Sequence, residues 1–212
     1  MDWSWLPQNA GMLAHLVGQH VYLALLPIVF GTIIAIPVGI VCARWGWLYP
    51  PVLTLTSVIY ALPSLALFAV LIDFTGLTDT TVIIPLTLFS LSILVPNVVD
   101  GLRSVPDSVR QAATAMGFGT MRRLIQVELP VAAPVVIAGL RVATVSNISL
   151  VSVGQLIGIG GLGYLFVDGE QRDFPTEIYT GIALIVILAF VLDSALVLLR
   201  RFLTPWQRGA RS

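Results

Sequence analysis

Five uncharged or nearly uncharged apolar runs dominate this chain, and they fix the solvent in which it can fold. Residues 19–43, 50–72, 80–102, 131–153 and 177–199 each reach the length needed to cross a bilayer, since a hydrocarbon core ~30 Å thick takes about 20 residues of helix. A backbone surrounded by lipid must satisfy its own hydrogen bonds, which leaves helices and closed barrels as the spanning structures. The runs are rich in Leu, Ile, Val and Ala and lack the strict alternation of a barrel strand, so helices are predicted. Charged residues make up 10% of the chain and hydrophobic ones 57%, with a mean hydropathy of +0.95, whereas a soluble domain carries about 25% charged residues. Five spans leave little of the 212 residues for anything else. The predicted fold class is an all-α integral membrane protein with about five transmembrane helices. Residues 1–18, with Trp3 and Trp5, read as an external interfacial segment, 19–202 as the membrane domain and 203–212 as a cytoplasmic tail. The first run is too long, and too interrupted by Pro and Gly, for a cleaved signal peptide.

Arginine sets the expected orientation, because basic residues concentrate in cytoplasmic loops. With five alternating spans, Arg44, Arg103, Arg110, Arg122, Arg123, Arg200, Arg201, Arg208 and Arg211 share one side and Arg172 lies on the other. Asp2, Asp73, Asp79, Asp168, Glu170, Asp173 and Glu177 fall with Arg172. The N-terminus is therefore expected outside and the C-terminus in the cytoplasm, with Trp45, Trp47, Tyr49 and Trp206 in the inner aromatic belt. All 11 basic residues are Arg, and a chain without Lys has no phosphate-binding loop of the G-x-x-x-x-G-K-[ST] type. The single cysteine, Cys42, forms no intrachain disulfide.

The stretch "RQAATAMGFGTMRRLIQVELP", residues 110–130, stands apart from the apolar runs. Ser104 and Asp107 have capping-box spacing, and Pro106 suits a first helical turn. Gly117 stands where a helix end needs the left-handed conformation. Thr120 is placed to cap a second short helix that shows Met121, Leu124 and Ile125 on one face and ends at Pro130. The first helix presents Ala112, Ala113, Ala115 and Met116, a small-residue surface. Two uses fit such a hairpin: docking against another protein, or lying on anionic lipid headgroups.

"QAATAMGFGTMRRLIQVELP" resembles the EAA loop of ABC importer permeases, on Ala112, Ala113, Gly117, Leu129 and Pro130. The family's Glu is Gln111 here, which keeps the hydrogen bonding and loses the charge. The blocks "YALPSLALFAVLIDFTGLTDTTVIIPLTLF", "PNVVDGLRSVP", "ELPVAAPVVIAGLRVATVSN" and "LIGIGGLG" are similar to those of permeases that import quaternary ammonium osmoprotectants such as glycine betaine, choline and carnitine. The resemblance spans residues 19–200. It implies a type I importer permease of a bacterial inner membrane whose 103–130 loop is a two-helix coupling device for a separate ATPase. Its implied partners are ABC ATPase subunits, a second permease copy or related permease, an extracytoplasmic substrate-binding protein and membrane lipid, with no nucleic acid. No cofactor is expected on this chain, and ATP and Mg belong to the partner ATPase. A permease for another small solute, such as an amino acid, is the alternative, and a stand-alone secondary transporter ranks below it.

Other candidate residues lie within or beside the spans. Pro63 and Ser64 interrupt the second, and a break at membrane depth either lines a cavity or packs on protein. Asn97 and Asn147 are polar at membrane depth, open to interhelical hydrogen bonding or to substrate contact. Gly158, Gly160, Gly161 and Gly163 form a flexible external end of the fourth span and a candidate gate. Gly158, Gly160 and Gly163 satisfy G-x-G-x-x-G without the preceding strand that a dinucleotide site requires. Arg141 and Asp193 are the two charges well away from the ends of the spans, where either snorkelling or an interhelical ion pair fits their similar depth. His15 and His20, five residues apart, lack the spacing of a metal pair, and no metal is expected. Neither histidine is expected at membrane depth, where an intramembrane enzyme needs a nucleophile and base.

Overall fold

A computed structural model describes residues 3–205, so Asp2, Trp206, Arg208 and Arg211 of the orientation argument lie outside the described residues. Ten α-helices follow in order: α1 (Trp5–Gln8), α2 (Ala10–Arg44), α3 (Tyr49–Ala61), α4 (Ser64–Thr75), α5 (Asp79–Arg103), α6 (Asp107–Ala115), α7 (Thr120–Arg123), α8 (Leu129–Val153), α9 (Tyr164–Gln171) and α10 (Pro175–Leu203). Four helical stretches are long and apolar enough to cross a membrane, and α3 with α4 makes a fifth as one span bent by 92°. The crossing by α3 and α4 follows from the geometry. Arg44 and Arg103 end α2 and α5 and line the same cleft, so the intervening chain must return to the other face.

The helix that carries the first span starts at Ala10 and not at residue 19. Ala14, Leu16, Val17 and Gly18 continue it, and nothing in 10–18 breaks it, so half of the 1–18 segment is an extension of that helix. Trp5 of α1 meets the Phe174 ring edge-on at 5.9 Å, fastening the N-terminal end to the corner between α9 and α10.

α2, α5 and α8 form the centre of the bundle, with α3 and α4 against α5 and α10 against α8. Lipid offers no hydrophobic incentive for helices to associate, so close packing through small residues does much of that work. At Gly39 of α2 a Cβ would lie 2.5 Å from Val98 Cγ1 of α5, so only glycine permits this crossing. The larger apolar cluster joins Leu23, Phe68, Leu86, Ile148, Leu162 and Leu165 towards the acidic end of the bundle. A smaller one, with Val98, Leu102, Leu124 and Ala132, roots the 110–130 stretch at the arginine end. α10 leaves Val186, Ile187, Phe190 and Phe202 exposed, a surface for lipid or another subunit.

Candidate functional site

The 110–130 stretch folds as a rigid corner, although its ends differ from the sequence expectation. No capping box forms: Pro106, with extended backbone, precedes α6 without a side-chain cap, and Ser104 Oγ donates to the Gly101 carbonyl instead. Asp107 is left to pair with Arg110 at 3.1 Å. Gly119, and not Thr120, is the residue before α7. α6 ends as Gly117 turns left-handed, at φ +83°. The Gly117 N–H reaches the Thr114 carbonyl and the Phe118 N–H the Ala113 carbonyl, at 2.9 and 3.1 Å, the paired bonds of a Schellman closure. The Arg122 guanidinium lies over the Phe118 ring at 4.6 Å.

Pro130 does not end the second helix. A widened turn over Leu124–Glu128 leads directly into α8, with Pro130 in its first turn, where a missing N–H is tolerated. Residues Thr120–Ile157 form one continuous helical rod. A wide turn of this kind is frequent at functional sites. Here it lets a surface helix and a membrane span share one backbone.

The faces also divide differently. Leu124 is buried, while Met121, Ile125 and Met116 are 63%, 56% and 69% exposed. Ala113 is buried against the bundle, whereas Gln111, Ala112, Ala115 and Gly117 are exposed. Leu129 and Pro130 are half-buried at the root of α8. Gln111 lines a shallow cleft with Arg110, Thr114, Ala115 and Arg123. The surface offered outward is therefore three large apolar side chains beside small residues and a neutral amide.

Glu128, which the sequence reading passed over, holds the corner to the bundle. Its carboxylate accepts from Arg123 Nε at 2.7 Å and lies 3.7 Å from Arg110 Nε. Arg110 Nη2 also donates to the Leu102 carbonyl at the end of α5, and Arg123 Nη1 to Thr114 Oγ1. Its sequence signal was available, since Glu128 is the only carboxylate between Asp107 and Asp168 and arginines precede it. Glu128→Gln is expected to remove one charge-assisted bond, at about 1–2 kcal/mol after discounting for solvent. A fall of about 4 °C in the unfolding midpoint of the detergent-solubilised protein, by roughly the scaling of a domain this size, checks it.

Within the spans, Leu62 and Pro63 adopt extended backbone between α3 and α4. Ala61, Leu62 and Pro63 are exposed and Ser64 half-exposed. Asn97 Nδ2 donates to the Ile93 carbonyl of its own helix, and its side chain fills the space beside Gly139. Asn147 is buried and donates to Ser90 Oγ at 3.1 Å and to the Ala24 carbonyl at 3.4 Å, tying α8 to α5 and α2. Arg141 Nε and Nη2 donate to the two carboxylate oxygens of Asp193 at 2.7 and 2.8 Å.

At the opposite end the glycine segment is packed and not a loose end, because its short turns fold back onto α2 and α8. Gly161 and Gly163 are buried with Leu162, while Gly158 and Gly160 form the turn before them. A Cβ on Gly161 would come within 2.8 Å of His20 Cα. His20 is fully buried inside the first spanning helix. Its Nε2 bonds the Ile148 carbonyl at 2.9 Å and its Nδ1 accepts from the Leu162 N–H at 3.2 Å. Both ring nitrogens are occupied in joining three elements, which leaves neither for general-base chemistry. On α9 and the start of α10, Arg172 pairs with Asp168 at 2.8 Å and Glu177 at 3.1 Å. That guanidinium holds the Asp168 carboxyl below the usual range. Among the described residues no three His, Cys, Asp or Glu side chains come together as metal ligands would.

Residues 35–209 match the family described as binding-protein-dependent transport system inner membrane component. The chain is 36% identical to the osmoprotectant import permease protein OsmW of Salmonella typhimurium, covering 93% of this chain and 94% of that one. It is 35% identical to the glycine betaine/carnitine/choline transport system permease protein OpuCD of Bacillus subtilis, over 93% and 87% of the two chains. Its identity to the choline transport system permease protein OpuBB of the same organism is 32%, over 94% and 92%. The fold matches a chain of the inward-facing MetNI methionine ABC transporter at a TM-score of 0.80 and 23% identity, covering 96% of this chain and all of that one.

Proposed function

The chain belongs to the family of binding-protein-dependent transport system inner membrane components, and on that premise we propose that residues 110–130 couple it to a separate ATPase for the import of quaternary ammonium osmoprotectants. It is a multi-pass inner-membrane permease with an ABC importer fold. The continuity of the rod Thr120–Ile157 carries the coupling reading. A displacement of α7 by a partner is passed to α8 with no slack loop between them. Met116, Met121 and Ile125 supply an apolar contact on that lever, and the Glu128 bonds transmit the same push to α6. ATP and Mg belong in this reading to the partner, and the permease itself does no chemistry.

The translocation path is assigned to the face bearing the α3–α4 break. Irregular backbone is not tolerated against lipid, only where protein or water covers it. Exposed Leu62 and Pro63 therefore face a second permease, a copy or a relative, and the water-filled route between the two. Asn97 and Asn147 are engaged in packing, which leaves Pro63 and Ser64 as pathway candidates. His20 and the packed glycines Gly160, Gly161 and Gly163, with exposed Gly158 at the turn before them, form the floor on which an extracytoplasmic binding protein would press. The names of these three relatives, permeases for osmoprotectants, for glycine betaine, carnitine and choline, and for choline, support the cargo class over an amino acid. Uptake of labelled glycine betaine by the reconstituted complex, competed by choline and carnitine but not by methionine, tests it. Competition by methionine alone would assign the permease to amino acids.

The arginine end is taken to be cytoplasmic. In a Cys42→Ser background, Leu77→Cys and Glu170→Cys, both at exposed positions, are expected to react with an impermeant thiol reagent in intact cells. Labelling only after lysis would invert the topology.

A further inference from the structure

At the arginine end, the inner side of the corner and the tips of α2 and α5 enclose a half-open cleft of about 240 Å³. Its floor is apolar, with Ile40 and Leu102, and Arg44, Arg103, Arg110 and Arg123 surround it. One carboxylate lines it, that of Glu128, and it is engaged by Arg123 at 2.7 Å. Asp107 takes only an Nη1 hydrogen of Arg110. Four guanidinium groups thus face one carboxylate on the cleft wall.

Two observations mark this excess as a binding site. Arg110 Nε is buried and makes no hydrogen bond, because the Glu128 carboxylate stands 3.7 Å away and is already bonded to Arg123. Arg44 and Arg103 form no ion pair among the described residues. Arg103 is instead held in place over the Tyr49 ring at 4.8 Å. Guanidinium groups match phosphate oxygens through paired N–H bonds. The cleft opens where the spanning helices emerge, beside exposed Trp45 and Trp47, the residue type that marks the headgroup level.

We propose that this cleft binds a phosphate-bearing anion, and that its source is the headgroup of an acidic phospholipid in the adjoining leaflet. The phosphodiester sits among the four arginines and completes the bonding of Arg110 Nε, while the acyl chains run down the apolar outer surface of α2. Basic pockets between spanning helices bind such headgroups by this electrostatic logic. The site is separate from the outward apolar surface assigned to the ATPase, so it stands or falls without that reading. A bound lipid would cement the corner to the bundle from the inside.

The test measures phospholipids retained by the full-length purified chain in native mass spectrometry, from detergent containing phosphatidylglycerol and phosphatidylcholine in equal amounts. The wild type is expected to retain phosphatidylglycerol selectively. Arg44→Gln with Arg103→Gln removes two charges from exposed positions and weakens that retention about thirtyfold. The paired lysine substitution at both positions keeps it within a few-fold. Displacement of the lipid by inorganic phosphate would uphold the phosphate site and assign it to the free anion. Equal retention of both lipids by wild type and the glutamine variant, or a loss in the lysine variant as large as in the glutamine one, would overturn the proposal.

Discussion

Gly117→Asp is expected to abolish ATP-coupled uptake while the permease remains in the membrane at near-normal abundance. The glycine has φ +83°, and a Cβ built on it meets no atom of the chain within 4 Å. The substitution therefore costs the fold only backbone strain, about 1–2 kcal/mol, and Asp is among the side chains that tolerate this conformation best. Outside the chain the cost is larger. Gly117 is exposed at the corner between α6 and α7, beside the apolar side chains of Met116 and Met121. A carboxylate placed there is desolvated against those apolar side chains when a partner docks, at about 3–5 kcal/mol for a buried charge left unpaired. That corresponds to roughly a hundredfold or more in affinity for the ATPase. Gly117→Ala carries at least the same backbone strain but a small side chain and no charge, so most uptake survives. Membrane abundance by immunoblot, ATPase co-purification and uptake in the same cells separate the effects. Normal co-purification with Gly117→Asp would remove the corner from the interface.

Asp193→Asn produces the second large effect, on folding rather than on coupling. Arg141 lies ~18 Å along α8 from Leu129, and Asp193 ~15 Å along α10 from Leu203, at 1.5 Å per residue, so both sit well inside the bilayer. Their two bonds, at 2.7 and 2.8 Å, satisfy both carboxylate oxygens. Removing the carboxylate leaves a guanidinium that cannot lose its proton at membrane depth, at about 3 kcal/mol or more. The folded yield in detergent is expected to fall severalfold. Arg141→Gln added to Asp193→Asn is expected to recover most of it, because a pair of neutral amides costs less than one stranded charge. Losses that simply add in the double variant would mean that the two side chains act independently and that each reaches the interface alone.

The sequence made the spans legible because lipid writes a strong signal: a helix that must cross hydrocarbon shows its length in apolar residues. Residue types with a single conformational reason were readable too, such as Gly117, whose positive φ few other residues adopt. What escaped depended on partners distant along the chain. His20 looked like a residue near a span end, and only its bonds to Ile148 and Leu162, more than a hundred residues away, make it a central tie. Ser104 and Asp107 had the spacing of a capping box, but Asp107 was taken by Arg110 and Ser104 by a carbonyl of the preceding helix. Pro130 reads as a helix end by its missing N–H. The structure places it in a first turn, where that N–H is not needed, because the widened turn at Leu124–Glu128 has already absorbed the change of direction. The glycine segment seemed loose for want of side chains, and it is packed for the same reason, since His20 and Ser152 lie where the missing Cβ atoms would be.

On the proposed reading, transport by this permease is driven by an ATPase docked on residues 110–130. Accumulation of labelled glycine betaine in proteoliposomes, loaded with ATP and Mg and assembled with each component omitted in turn, tests it most directly. Uptake is expected only when permease, ATPase, binding protein and ATP are all present, and is expected to vanish when the ATPase alone is left out. Accumulation by the permease alone, driven by an ion gradient and indifferent to ATP, would make the chain a stand-alone secondary transporter.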